Sequence, residues 1–345
     1  MSFELSVDAP RWRRHLTTVA EHTPGIVPVV KGNGYGLGRN LLAAESTTLG
    51  CDILAVGTYE EVPDALATFG GDVMVLSPWR PFLHGTDADD ARVIHTLGRV
   101  EDVAALATTR PGTRIVLEGE TTMSRHGLDR HALSAAARAL EGLRLEGFAV
   151  HLPMAGDNLG EAESWAAALE ASQVETSRMF VSHLLPTELA ALRQRRPQLD
   201  VRPRIGTSLW LGDLGAFTVH AAVLDVHQVS RGERIGYRQR PVPRDGYLLI
   251  VSGGTSHGIG LEAPRSGASV VQRGKTLAKG GLEAAGLSLS PFTIGGRQRW
   301  FAEPPHMQAS MVLLPRSVAP PVVGDTIPAA VRYTTATFDR ITLTD

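Results

Sequence analysis

The chain has 345 residues, 43% hydrophobic and 20% charged, with a net charge of −2. That is enough for one large domain and a smaller one, and the charge argues against a nucleic-acid or anionic-membrane partner. A single cysteine, Cys51, excludes intramolecular disulfides and a cysteine-based zinc cluster, no stretch reaches the ~20 apolar residues of a membrane span, and the opening Met-Ser-Phe-Glu-Leu-Ser-Val-Asp lacks a signal-peptide core, so a soluble cytoplasmic protein is expected.

The first predicted helix covers residues 11–21 and the first strand residues 25–30. Strands follow at 53–56, 73–76, 114–117, 147–151, 178–181 and 201–205, with amphipathic helical stretches at 60–68, 130–141, 160–171 and 187–195. Strand alternating with helix is the pattern of βαβ units, and that many units in about 210 residues suit a closed (β/α)8 barrel better than an open sheet. Polar residues fall at the expected C-terminal strand ends, the catalytic face of such a barrel: Lys31, Glu118, Arg125, His151, His183 and Arg204. After about residue 218 the helical period disappears. Short β-type runs at 218–229, 247–252, 268–271, 311–314 and 326–333 are separated by Gly- and Pro-rich turns, as in an all-β domain. The expected domains are therefore 1–218, an α/β barrel of TIM type, and 219–345, an all-β domain.

Lysine is rare here. Among 34 Lys+Arg residues only Lys31, Lys275 and Lys279 are lysines. A guanidinium stays protonated, whereas an amine can lose its proton and attack a carbonyl. A chain that uses arginine this freely, yet keeps a lysine at the end of an apolar strand, points to a need for an amine. Lys31 sits in Val27-Pro-Val-Val-Lys31-Gly-Asn-Gly-Tyr35-Gly-Leu-Gly38, where the glycines permit close backbone approach.

This segment resembles the Val-Lys-Ala-x-Ala-Tyr-Gly-x-Gly signature of the alanine racemase family, a barrel that binds pyridoxal 5'-phosphate (PLP) followed by a β-domain. The resemblance implies that Lys31 joins PLP through a Schiff base and serves as a proton-transfer base, and that Tyr35 reaches the cofactor phosphate. Thr121-Thr-Met-Ser-Arg125-His-Gly127 is similar to the family's Asp-Thr-Gly-Met-x-Arg-x-Gly, placing Arg125 near the cofactor ring and the substrate carboxylate. Where the family often has a carbamylated lysine this chain has Glu118, whose carboxylate either holds Arg125 or is simply solvated. His151, in His-Leu-Pro-Met-Ala-Gly-Asp157, matches the histidine that packs on the pyridine ring. Thr187, in Ser182-His183-Leu-Leu-Pro-Thr187, keeps a phosphate-binding hydroxyl or caps a helix. In Val201-Arg-Pro-Arg204-Ile-Gly206-Thr207, Arg204 would face the ring nitrogen, with Arg202 as its rival, and the amides of Gly206 and Thr207 would hold phosphate.

The pattern breaks in the β-domain. The family's second base is a tyrosine in a Gly-Tyr-Ala-Asp-Gly turn donated by the partner subunit; the corresponding Ser252-Gly-Gly-Thr-Ser-His-Gly258 has Gly254 or Thr255 there. Either His257 or Ser256 substitutes, a histidine being the better acid–base near neutral pH, or the turn is structural and the second face has no base. Met307, in Pro305-His306-Met307-Gln308, matches the segment that helps hold the substrate carboxylate. The expectation is a PLP-dependent amino acid racemase or epimerase, a homodimer sharing its site between subunits. The alternatives are another PLP reaction of lyase type and a non-catalytic PLP carrier; the β-domain argues against the carrier.

Overall fold

The computed structural model describes residues 2–83, 90–261 and 288–345. The strand expected at 268–271, Lys275 and Lys279 lie outside the described residues.

Strand β1 (Phe3–Asp8) and helix α1 (Ala9–His22) open the chain. Then come β2 (Val27–Pro28), α2 (Arg39–Thr48), β3 (Ile53–Val56), α3 (Val62–Thr68), β4 (Asp72–Pro78), β5 (Val93–Leu97), α4 (Val100–Thr109), β6 (Arg114–Gly119) and α5 (Leu133–Ala139). They continue as β7 (Arg144–Val150), α6 (Asn158–Glu170), β8 (Arg178–Val181), α7 (Pro186–Arg195), β9 (Asp200–Ile205) and the short α8 (Thr207–Trp210). Strands β2 to β9 are parallel, in the order β2-β9-β8-β7-β6-β5-β4-β3. A parallel bridge between Val29 and Ala55, with Val30 N–H donating to the Ala55 carbonyl at 2.7 Å, joins the two ends into a ring. This is the expected (β/α)8 barrel.

Its interior is filled by one apolar layer: Val27 and Val29, Ile53 and Ala55, Met74, Ile94, Val116, Ala149 and Phe180, all buried. Side chains of a strand alternate between faces, so two residues beyond each core position the chain points inward again. From Val29, Val116, Ala149 and Phe180 that step reaches Lys31, Glu118, His151 and Ser182. The same period that packs the core therefore delivers polar groups to its C-terminal end.

Four elements in the barrel, α2, β5, α4 and the short α8, were not apparent from sequence. In β5 the apolar run is interrupted by His95 and Thr96, both buried; Tyr59 Oη bonds His95 Nδ1 at 2.9 Å, and Thr96 Oγ1 donates to the Val75 carbonyl at 2.6 Å. Helix α2 hides its amphipathicity behind Glu45, which is buried because Arg13 pairs with it at 2.7 Å.

The remaining strands are β10 (Phe217–Val229), β11 (Arg234–Ile235), β12 (Arg240–Pro241), β13 (Gly246–Ser252), β14 (Leu289–Ile294), β15 (Arg297–Phe301), β16 (Ala309–Pro315), β17 (Thr326–Pro328) and β18 (Arg340–Thr344). One sheet runs β14-β15-β16-β13-β10-β1-β18, with β17 also on β10. Strand β1 is antiparallel to β10 (Phe3 opposite Ala221) and parallel to β18 (Glu4 opposite Arg340), and buries Phe3, Leu5 and Val7. The compact units are accordingly residues 13–212 and residues 1–12 with 213–345. Residues 3–8, placed with the barrel only by the expected 1–218 boundary, form a strand of the β-sheet, with partners more than 200 residues away in sequence. Of the run expected at 326–333, Thr326–Pro328 form a strand and Ala329 makes one further bridge, to Phe292. No helix among the described residues is long and apolar enough to cross a membrane.

Candidate active site

Lys31 stands immediately after β2, at the start of a tight turn. Glu61, which follows β3 in a single 3-10 turn, builds that turn: its Oε1 accepts the Gly32 N–H at 2.6 Å and its Oε2 the Gly57 N–H at 2.7 Å. Gly57 leaves no room for a side chain, since a Cβ there would stand 3.0 Å from Lys31 Cβ. Burial lowers the Lys31 pKa first; the cations Arg125 and Arg204 lower it further, while Glu61 opposes them. A lysine among arginines with one carboxylate beneath it is an amine biased toward its neutral, nucleophilic form. Glu61 was not singled out in the sequence; as the third residue of a Thr-x-x-Glu capping box it looked purely local.

Tyr35 is buried and has left-handed backbone (φ 55°). Burial raises its phenol pKa, so it stays a neutral donor. Its hydroxyl lies against Gly206: a Cβ at Gly206 would collide with Oη and stand 3.0 Å from Cζ. Tyr35, Gly206 and Thr207, from two loops far apart in sequence, thus come together. Thr187 is exposed, but it is not a helix cap, because α7 starts at Pro186 with Leu185 in the cap position. Proline preorganises the first helical position, which moves the cap one residue earlier.

Arg204 is buried; Nη2 donates to the Val150 carbonyl at 2.9 Å and Nε has no partner. The rival Arg202 is excluded, since it bonds the Gly25 carbonyl at 2.6 Å and pairs with Asp52, both at the N-terminal end of the barrel. Glu118 is 3% exposed, so the solvated alternative is overturned. Its Oε2 has no partner, and burial raises its pKa against the pull of Arg204, Arg125 and Arg80. Arg125 is exposed, in a loop clipped to the barrel where Thr121 Oγ1 donates to the His151 carbonyl at 2.6 Å. His151 Nδ1 meets Ser182 Oγ at 3.2 Å, and burial, followed by Arg204 and Arg125, pushes its pKa down to about 3. The ring is thus a neutral surface for a flat partner.

In the other unit, His257 is 8% exposed. Its Nδ1 accepts the Gly254 N–H at 3.2 Å, its Nε2 bonds Asp339 Oδ1 at 3.1 Å, and its ring meets Phe3 edge-on at 5.4 Å. Both nitrogens are engaged within the unit; the sequence could not show Asp339, 82 residues away. Ser256 Oγ donates to the Met307 carbonyl at 2.6 Å, and the Met307 side chain is 72% exposed.

Comparison with known proteins gives one consistent result. Residues 7–209 match the family model described as alanine racemase, N-terminal domain. The chain is 29% identical over 272 residues to an alanine racemase of Nitratidesulfovibrio vulgaris, covering 70% of each chain. It is 28% identical over 291 residues to that of Mycobacterium tuberculosis, covering 74% of this chain and 73% of the relative. Its fold is similar to the crystal structure of alanine racemase from Bartonella henselae with covalently bound pyridoxal phosphate, at TM-score 0.69 and 20% identity, over 96% of this chain and 91% of that one. The Bacillus anthracis enzyme with bound L-Ala-P aligns at TM-score 0.70 and 18% identity, over 95% and 85%.

Proposed function

The chain belongs to the alanine racemase family, and from that premise we propose that it is a PLP-dependent racemase or epimerase acting at the α-carbon of an amino acid. The observation that carries this reading is the Lys31 amine, at the inward position above the barrel core with its pKa lowered by burial and two arginines.

The residues present fit the cofactor. Arg204 offers a buried, unpartnered Nε, and the glycine at 206 leaves beside the Tyr35 hydroxyl a space that any Cβ would fill. Tyr35, Thr187 and the amides of Gly206 and Thr207 would hold the phosphate, His151 would pack on the ring, and Arg204 would face the ring nitrogen. When bound, PLP supplies an electron-withdrawing ring that makes the substrate α-hydrogen acidic. Everything else falls to the chain. Lys31 Nζ, neutral, takes and returns the α-proton. Arg125 offers a guanidinium to the substrate carboxylate, with the buried Glu118 carboxyl on the same barrel. An arginine rather than an acid at the ring nitrogen would leave that nitrogen unprotonated, which would favour proton transfer over reactions needing a stronger electron sink. The working form in this reading is a cytoplasmic homodimer, which light scattering tests.

The decisive test has two parts. Borohydride trapping after addition of PLP should add the cofactor mass to the peptide holding Lys31, and Lys31→Ala should abolish it. The PLP-loaded protein in D2O should place deuterium at the α-carbon of at least one amino acid in a panel of L- and D-forms. Cofactor found on another residue, or no α-exchange with any substrate, refutes the reading.

A further inference from the structure

Inversion at a carbon needs two proton-transfer groups, and Lys31 accounts for one. The turn resembling the family's tyrosine turn has no tyrosine, and His257 in it has both nitrogens engaged. A different imidazole is free. His183 follows Ser182 at the C-terminal end of β8, on the same barrel face as Lys31. Its φ is 56°, a left-handed conformation disfavoured for a residue with a Cβ. Asn158, itself buried, holds it there, its Nδ2 donating to the carbonyls of His183 and Pro153 at 2.9 Å each. Backbone held against preference by a buried side chain is the kind of strain that collects at functional sites.

The ring of His183 stands perpendicular to that of His151, with centroids 5.3 Å apart, and is exposed. Neither of its nitrogens has a hydrogen-bond partner among the described residues. The charged groups facing it are Lys31 from the turn after β2, Arg204 from β9 and Arg125 from the loop after β6. All are cations; desolvation first, then these cations, lower the imidazole pKa.

We infer that His183 is the second proton-transfer residue of this site, paired with Lys31 and supplied by the same barrel; the inference rests on the racemase reading above. One proton is shared between the two groups. With one enantiomer Lys31 Nζ takes the α-proton while protonated His183 gives its own to the carbon; with the other, neutral His183 takes and the Lys31 ammonium gives. No electrons change hands, and exchange with water resets the pair.

The test begins on the protein without PLP. NMR of the imidazole nitrogens should show His183 titrating below the ordinary histidine range, and Lys31→Met, which removes one of the three cations acting on it, should move that titration upward. In the PLP-loaded enzyme, His183→Asn, which tolerates the left-handed backbone, should slow enantiomer inversion by about 100-fold or more while α-deuterium exchange from one enantiomer continues. Free imidazole should restore part of the inversion in His183→Ala. Inversion at the normal rate in His183→Asn, or a His183 titration indifferent to Lys31, overturns the inference. The two readings fail separately: no α-exchange in the unaltered enzyme sinks the racemase reading and this one with it, whereas normal inversion in His183→Asn sinks only this one.

Discussion

Replacing Glu61 by glutamine asks whether a carboxylate, rather than the glycines alone, builds the Lys31 turn. Glu61 is 8% exposed, and its two oxygens accept three backbone N–H groups, from Gly32 at 2.6 Å, Gly57 at 2.7 Å and Thr58 at 3.4 Å. Glutamine keeps the shape but has one oxygen, so one part-buried N–H would face an NH2 group. An unmatched buried donor costs about 1–3 kcal/mol, and losing the charge from the surviving bond costs about 1 kcal/mol more. Glu61→Gln should therefore lower barrel stability by about 2–4 kcal/mol in urea unfolding at neutral pH. The same change acts on the amine. Glu61 raises the Lys31 pKa against burial, Arg125 and Arg204, so without it the value falls further. The pH at which PLP capture by Lys31 reaches half its maximal rate should move downward. Stability within about 0.5 kcal/mol of the parent, with an unmoved capture profile, would refute the reasoning.

Three other outcomes are expected. Gly206→Ala forces a Cβ against the buried Tyr35 hydroxyl and should cost about 1–3 kcal/mol, with weaker PLP binding in equilibrium dialysis. His95 is buried with its pKa pushed down from 6.5 to about 4, so its neutral form stabilises the barrel fully above pH 6.5 and that contribution is lost as the pH falls through 4. At about 1.4 kcal/mol per pH unit the loss reaches about 3 kcal/mol, and comparing urea midpoints at pH 7 and pH 5 with those of His95→Gln isolates it. His257→Ala and Asp339→Ala should each destabilise the C-terminal unit by about 1–3 kcal/mol, with the double variant costing less than the sum, because both remove one shared bond.

The sequence exposed those parts of the site that sit on a local pattern. Lys31, Tyr35 and Gly206 are legible because a glycine-rich turn after an apolar run needs no distant partner to be recognised. Arg204 and Arg202 are two residues apart on one strand and therefore share a face, so no periodicity could choose between them. The choice came from which end of the barrel each reaches, Val150 for Arg204 and Asp52 for Arg202. Glu118 and Glu61 look like ordinary solvated acids in the string of letters; burial, and the three N–H groups converging on Glu61, mark them out.

Sequence alone thus determined the barrel and the all-β remainder and singled out the Lys31 amine, since each follows from spacing within about thirty residues. Tertiary structure decided the rest: that β1 belongs with strands more than 200 residues away, that His257 is tied to Asp339, and that His183 is left free. The reason is physical. Alternation and turn chemistry are properties of a short stretch of chain, whereas the occupancy of a lone pair depends on which groups the whole fold brings within hydrogen-bonding distance.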